Sequence, residues 1–329
     1  MAKKKENTKR LAIVVPCYNE EEIFDSTNVQ LIVLIKQLIV SEKISDDSFI
    51  LYVNDGSKDK TWDLIKRANE KHKYVRGLSL STNRGHQNAV YAGLMYAKDN
   101  ADFSISIDAD LQDDTGVIEE MIDKYNSGID IVYGVRNNRD TDTGFKRFTA
   151  QAFYKFMNWM GTKTVYNHAD FRLMSRRSMQ ALSEYGETHL FLRGIVPELG
   201  FKTDCVYYAR KERTAGESKY PLKKMISFAI DGVTSFSIKP LSFIFGLGVV
   251  AVVISIIAII YSIVRHCMGY TIEGWSSIFI SIWFIGGVQL CAIGVIGQYV
   301  GKTFIESKKR PRYFVEEILD KWVLNYLII

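Results

Sequence analysis

The chain has 329 residues, 47% of them apolar and 24% charged, which is too long for a disulfide-stapled miniprotein and admits one large or two small domains. A net charge of +5 suits nucleic acid, anionic lipid or a phosphate-bearing substrate without choosing among them. The 4 cysteines are far apart and form no Cys-x-x-Cys pair, so neither a disulfide framework nor a zinc site is expected, and a reducing compartment is.

The mean hydropathy of −0.03 averages over an uneven chain, with most charge before Pro240 and most apolar length after it. The basic start, Met1 to Arg10, leads into an apolar run of only Leu11 to Val15, shorter than a signal-peptide core. Leu11 to Pro16, Phe49 to Asn54, Gly77 to Ser81 and Phe103 to Asp108 then read as strands. The stretches 20–41, 60–72, 85–98 and 115–126 place apolar and charged residues at helical spacing. That alternation predicts an α/β fold with a mostly parallel sheet covered on both faces, whose ligands bind beyond the carboxyl ends of the strands.

Residues 221–239 read as an amphipathic helix lying at a membrane interface, with Met225, Phe228, Ala229 and Val233 on its apolar side. Two uncharged runs follow, 241–264 and 275–300, and the first spans about 36 Å as a helix, enough for a hydrocarbon core of roughly 30 Å. Lys219, Lys223, Lys224 and Lys239 precede the pair and Lys302, Lys308, Lys309, Arg310 and Arg312 follow it, against Arg265 between them. This asymmetry predicts a multi-pass protein of the cytoplasmic membrane with both termini and the large domain in the cytoplasm. The expected organisation is therefore a domain over 1–220, a juxtamembrane helix over 221–239, two spans within 240–301 and a basic tail over 302–329. Within that tail, Tyr313 to Ile329 has helical apolar spacing. Gly297 and Gly301 fit a small-xxx-small pattern and predict a homo-oligomer. Basic residues cluster at the membrane flanks rather than on a repeated helical face, so no nucleic-acid partner is expected.

The four strand ends are Pro16-Cys17-Tyr18-Asn19-Glu20, Asn54-Asp55-Gly56-Ser57, Asn83-Arg84-Gly85-His86 and Asp108 to Asp114. Converging at one sheet edge, they place several carboxylates together, which is costly unless a cation or ligand balances them. On an extended strand Asp108, Asp110 and Gln112 share one face, and oxygen-only ligands suit Mg²⁺ or Mn²⁺. An acidic turn capping the following helix is the plainer alternative. Tyr18 as core, Asp55-Gly56 as a turn and Glu20 as a first-turn helix residue are equally plain.

The motifs PCYNEE, VNDGSKDKT, NRGHQNAVYAGL and DADLQDD, in that order, resemble the family-2 glycosyltransferases with the nucleotide-sugar fold called GT-A. The two C-terminal spans, with DFRLMSRR at 170–177 and RTAGESKY at 213–220, are similar to the polyprenyl-phosphate branch: dolichol-phosphate mannose synthases and bacterial undecaprenyl-phosphate glucosyltransferases. The resemblance implies that Pro16, Tyr18, Glu20, Asp55, Asn83, Arg84 and Gln87 bind the donor with Asp108. It implies that Asp108, Asp110 and Gln112 hold the metal, and that the protein is a tetramer. A lipid phosphate acceptor needs cations rather than a general base, and Arg136, Arg147, Arg213, Ser218 and Lys219 are the candidates; Arg213 and Lys219 join Asp108 and Asp110 as the expected catalytic set.

The expected reaction is inverting transfer of a hexose from UDP-glucose to undecaprenyl phosphate. UDP-N-acetylglucosamine, UDP-galactose and a soluble acceptor are alternatives, and a non-catalytic membrane scaffold is the rival from another class. The sugar would be read within 133–200, where His168, Glu187 and His189 lie. A processive synthase is disfavoured because no tryptophan follows an arginine, as its Gln-x-x-Arg-Trp pattern requires.

Overall fold

The computed structural model describes residues 8–137, 168–187, 190–209 and 275–320, together with scattered positions between 241 and 268. The chain divides into two compact units; described residues up to 209 and from 310 onward belong to one, and those from 241 to 309 to the other.

In the first unit, strands β1 (Leu11–Cys17), β2 (Phe49–Asn54), β3 (Val75–Leu80) and β4 (Phe103–Ser106) are buried at every residue. Runs such as Leu11 to Val15 therefore show no alternation, as strands covered on both faces require. They pair in parallel in the order β4-β1-β2-β3. Helices α1 (Phe24–Val40), α2 (Thr61–Lys71) and α3 (His86–Asn100) make the crossovers. Gly93 lets α3 approach the sheet: a Cβ there would lie 2.3 Å from Val14 Cγ1. Pro16 sits where β4 has already ended, and its missing N–H breaks no ladder bond.

The first two crossovers step outward from β1, and the third returns to its other side, so the strand order reverses between β1 and β4. Beyond it, β6 (His168–Ser175) runs antiparallel to both β4 and β5 (Ile131–Arg136), and β7 (Thr203–Tyr208) lies parallel to β5. Short helices α4 (Ile118–Asn126), α5 (Arg176–Ser183) and α6 (Leu192–Glu198) intervene in sequence.

Two expectations need correction. The fourth strand stops at Ser106, not Asp108: after a last bond from the Ile107 N–H to Val14 the chain turns, with Leu111 N–H donating to the Asp108 carbonyl. Within the segment Tyr313 to Ile329 the helical spacing is misleading at Val315–Leu319, which is a strand, β8, antiparallel to β3 at the sheet edge. Trp62 donates its indole N–H to Glu317 at 3.0 Å, and buried Arg76 pairs with Asp320 at 2.9 Å. Of the segment expected as a tail, 302–307 end a helix and Val315–Leu319 form a strand of the first unit, while 321–329 lie outside the described residues.

In the second unit, α7 (Trp275–Ser307) covers the run expected at 275–300. Its part Ile285–Ser307 has a hydropathy of 1.3 with none of its apolar window buried, and it is the one helix among the described residues long and apolar enough to cross a membrane. The run 241–264 lies largely outside the described residues, and the positions described within it are helical. The juxtamembrane helix expected over 221–239 lies outside them altogether.

Candidate active site

The carboxyl ends of β1 and β4 flank the point where strand order reverses, the crevice in which open α/β sheets bind ligands. Four loops meet there, and their own hydrogen bonds hold them. After β1 the chain turns through Asn19, at φ 55. The Asn19 N–H donates to Ser57 Oγ at 3.0 Å, and Lys58 N–H returns a bond to Asn19 Oδ1 at 2.9 Å. Glu20 N–H donates to Thr61 Oγ1 at 2.9 Å, so the first two loops are laced as one rim. Pro16 is buried, Tyr18 is 43% exposed, and Glu20 lies between.

Asp55 holds the third loop. Its two carboxylate oxygens accept the N–H groups of Arg84 at 2.7 Å and Gly85 at 2.9 Å. Burial pushes its carboxyl up, and those two bonds oppose the rise. Gly56, at φ +63, presses against this loop: a Cβ would sit 2.5 Å from Asn83 N. Asn83 and Arg84 are exposed on it, and Gln87 stands in the first turn of α3.

The fourth loop carries the acids. Thr27 on α1 donates its buried hydroxyl to the Ala109 carbonyl at 2.6 Å, and Leu111, at φ 44, closes a turn back onto Asp108. Asp108 and Asp110 are brought together by that turn rather than by a shared strand face. Asp108 keeps a solvent-facing side, 41% exposed. Packing around the rest raises its carboxyl; His86 opposes this, and Asp170, Asp113 and Asp110 reinforce it. Burial first, then Asp110, Asp108 and Asp59, push Glu20 up to about 7.

The charges of Asp110 and Asp108 thus bear on Glu20, and that of Asp110 on Asp108, and a divalent cation would relieve that repulsion. Among the described residues no three His, Cys, Asp or Glu side chains form a ready-made cage. Two carboxylates still fit Mg²⁺ or Mn²⁺, ions commonly bound by one or two carboxylates and completed by water and substrate phosphate. Gln112 is buried, and its amide N–H donates to Asp110 Oδ2 at 2.7 Å, which orients that carboxylate. Asp114 has the plainer role, accepting the Gly116 N–H at 3.1 Å to cap the 3-10 turn before α4.

Sequence reasoning missed the network behind these acids. His86 Nε2 lies 3.5 Å from Asp108 and 3.6 Å from Asp170. Burial works against a charged His86, but Asp170 and Asp108 outweigh it and raise its pKa. Asp170, on β6, accepts from wholly buried Arg172 at 2.8 Å and from both Nε and Nη2 of Arg193 at 3.2 Å. Burial alone would raise Asp170; His86, Arg193 and Arg172 hold it well below the ordinary carboxylate range. Gln87 Oε1 accepts the Leu192 N–H at 3.1 Å, tying α3 to the start of α6. Arg136, at the end of β5, donates twice to buried Asp113, at 3.0 and 2.8 Å, and Tyr208 donates to the same oxygen at 2.7 Å. The signals for this network were the His of NRGHQNA and the Asp-x-Arg of DFRLMSRR, both carried by motifs already singled out. Arg147, Arg213, Ser218 and Lys219 lie outside the described residues, as does His189.

Residues 12–183 match glycosyl transferase family 2. The chain belongs to that family. Its fold is the GT-A α/β fold with a mostly parallel sheet, and it is an enzyme of sugar transfer by family. An uncharacterised glycosyltransferase of Bacillus subtilis is 54% identical over 306 residues, covering 93% of this chain and 91% of that protein. A prophage bactoprenol glucosyl transferase homolog of Escherichia coli is 38% identical, covering 94% and 99%, and the bactoprenol glucosyl transferase of Shigella phage SfV is 38% identical, covering 95% and 100%. Among solved structures, a mannosyltransferase of Pyrobaculum calidifontis in complex with GDP-Man and Mn²⁺ is 14% identical, with a TM-score of 0.48 over 71% of this chain and 66% of that one. Likeness at that level carries no functional inference.

Proposed function

We propose that this family-2 enzyme is a membrane-anchored, inverting transferase that moves a hexose from UDP-glucose to undecaprenyl phosphate. The observation that carries the reading is similarity running end to end with the bactoprenol glucosyl transferases, through the apolar C-terminal third as well as the nucleotide-sugar domain. Bactoprenol is undecaprenol, so the acceptor class follows from those relatives. Pro16, Tyr18, Glu20, Asp55, Asn83, Arg84 and Gln87 line or support the rim where the donor would sit.

Asp108 and Asp110 would hold a Mg²⁺ or Mn²⁺ ion, which when bound neutralises charge building on the departing diphosphate. Gln112 keeps Asp110 aimed, and Thr27 keeps the loop in place. The acceptor needs no general base, because a phosphate monoester with a second pKa of about 6 is largely dianionic at neutral pH. Cations must bring the two anions together. Arg136 stands at the strand ends with Asp113 fixing its orientation, and Arg147, Arg213, Ser218 and Lys219 complete the proposed acceptor set. Direct displacement on an α-linked donor gives a β-linked lipid phosphate.

Helix α7 and the run 241–264 would form two spans, with the enzyme in the cytoplasmic membrane, both termini cytoplasmic, and the chain a homo-oligomer, a tetramer by resemblance. The test is a panel of UDP-glucose, UDP-N-acetylglucosamine and UDP-galactose, each radiolabelled in the sugar, supplied with Mg²⁺. Label entering butanol from UDP-glucose only when undecaprenyl phosphate is present supports the reading. Preference for another donor corrects the sugar, and transfer to water-soluble product alone refutes the acceptor.

A further inference from the structure

Asp170 is served by more cations than it needs. Arg172, with no exposed side-chain surface, already neutralises it at 2.8 Å. Arg193 makes two longer bonds of 3.2 Å to the same carboxylate from a side chain that is 41% exposed, and His86 approaches it as well. Two guanidiniums and an imidazole therefore share one buried anion. Arg193 works against the positive charge of both Arg172 and His86. Two bonds to Asp170 hold Arg193 while 41% of its side chain stays exposed, and His86 links that same carboxylate to Asp108. The strand ends nearby carry Glu20, Asp108 and Asp110, whose negative charge would repel a phosphate entering the crevice unless cations offset it.

We propose that Arg193 contacts a phosphate group of the substrate in this crevice, as a catalytic residue of the transfer. The assignment rests on the transferase reading above. A guanidinium matches phosphate oxygens bidentately, and the carboxylate behind it sets its plane before substrate arrives. The phosphate belongs either to the nucleotide diphosphate or to the lipid acceptor, and both present the same oxyanion chemistry.

The test compares Arg193→Gln and Arg193→Lys in the full chain in detergent, measuring binding of UDP and of uridine with Mg²⁺, and the KM for undecaprenyl phosphate. Arg172 remains on Asp170 in both variants, so the buried carboxylate keeps its partner. The glutamine variant should lose about tenfold or more in UDP affinity with uridine affinity unchanged, which assigns the donor diphosphate. Alternatively UDP affinity holds while the acceptor KM rises by about the same factor, which assigns the lipid phosphate. The lysine variant should recover part of either loss. The proposal is overturned if the glutamine variant keeps UDP affinity and acceptor KM within about twofold of wild type, or if uridine and UDP binding fall together, as a purely structural role would have it. Wild-type protein that binds no UDP and transfers no sugar would defeat the transferase reading itself, so the two failures are told apart.

Discussion

Replacing Asp320, the residue that follows β8, with asparagine should strongly destabilise the catalytic unit. The Asp320 carboxylate is 1% exposed and Arg76 5%, with 2.9 Å between them. The Tyr96 hydroxyl donates to Asp320, and the Arg76 guanidinium lies over Phe49, 3.9 Å from the ring centroid. Removing one partner leaves Arg76 charged and enclosed, a loss of about 3–5 kcal/mol for a buried pair. In a unit of this size 1 kcal/mol moves the melting temperature by about 2–4 °C, so Asp320→Asn should lower it by roughly 6 to 20 °C. Tryptophan fluorescence follows the transition, because Trp62 is bonded to Glu317 on the same strand. The double change Arg76→Met with Asp320→Leu should recover most of the loss, since apolar residues replace a buried pair at little cost. A shift for Asp320→Asn under about 2 °C, or a double variant no better than the single one, would refute the view that this pair anchors β8.

Asp108→Asn and Asp110→Asn should each lower turnover by more than about 100-fold with an unchanged melting temperature, and chelator should abolish wild-type turnover until Mg²⁺ or Mn²⁺ is restored; steady-state assays check both. Gly56→Ala would press a methyl group to within 2.5 Å of Asn83 N from a backbone at φ +63, so it should weaken UDP binding by titration calorimetry as well as stability. Asp130 is held below its ordinary range by Arg177, then by Ser175, with burial opposing them. Its folded pKa is depressed, so its stabilisation is present above the unfolded carboxylate value and is lost as pH falls through the folded one. Asp130→Asn should therefore be less stable than wild type at pH 7 by about 1–3 kcal/mol, and the gap should close toward pH 3 in acid melts.

The parallel half of the fold was legible because Leu11 to Val15 and Phe49 to Val53 are buried on both faces, which leaves continuous apolar runs in the sequence. The strand ends were legible for the complementary reason: Asp55, Asn83 and Asp108 break those runs abruptly. What was hidden depends on pairing at a distance. Val315 to Leu319 reads as any short amphipathic stretch, and only the open edge of β3 makes it a strand, a tertiary effect that outweighs local propensity. The partners of Asp170 come from α3, β6 and α6, so no spacing in one segment announces them. The Asp108–Gln112 turn was misread as extended because alternate carboxylates on a strand and carboxylates gathered by a left-handed Leu111 give the same letters.

Because β8 follows α7 in the chain, a ribosome delivers it after everything else in its sheet. Until it emerges, β3 presents a bare row of peptide groups and Arg76 waits for its counter-charge. The order of synthesis thus postpones closure of the catalytic unit until the long apolar helix has been made. Cutting the gene ahead of that helix would yield a protein with a raw, sticky margin rather than a tidy soluble enzyme.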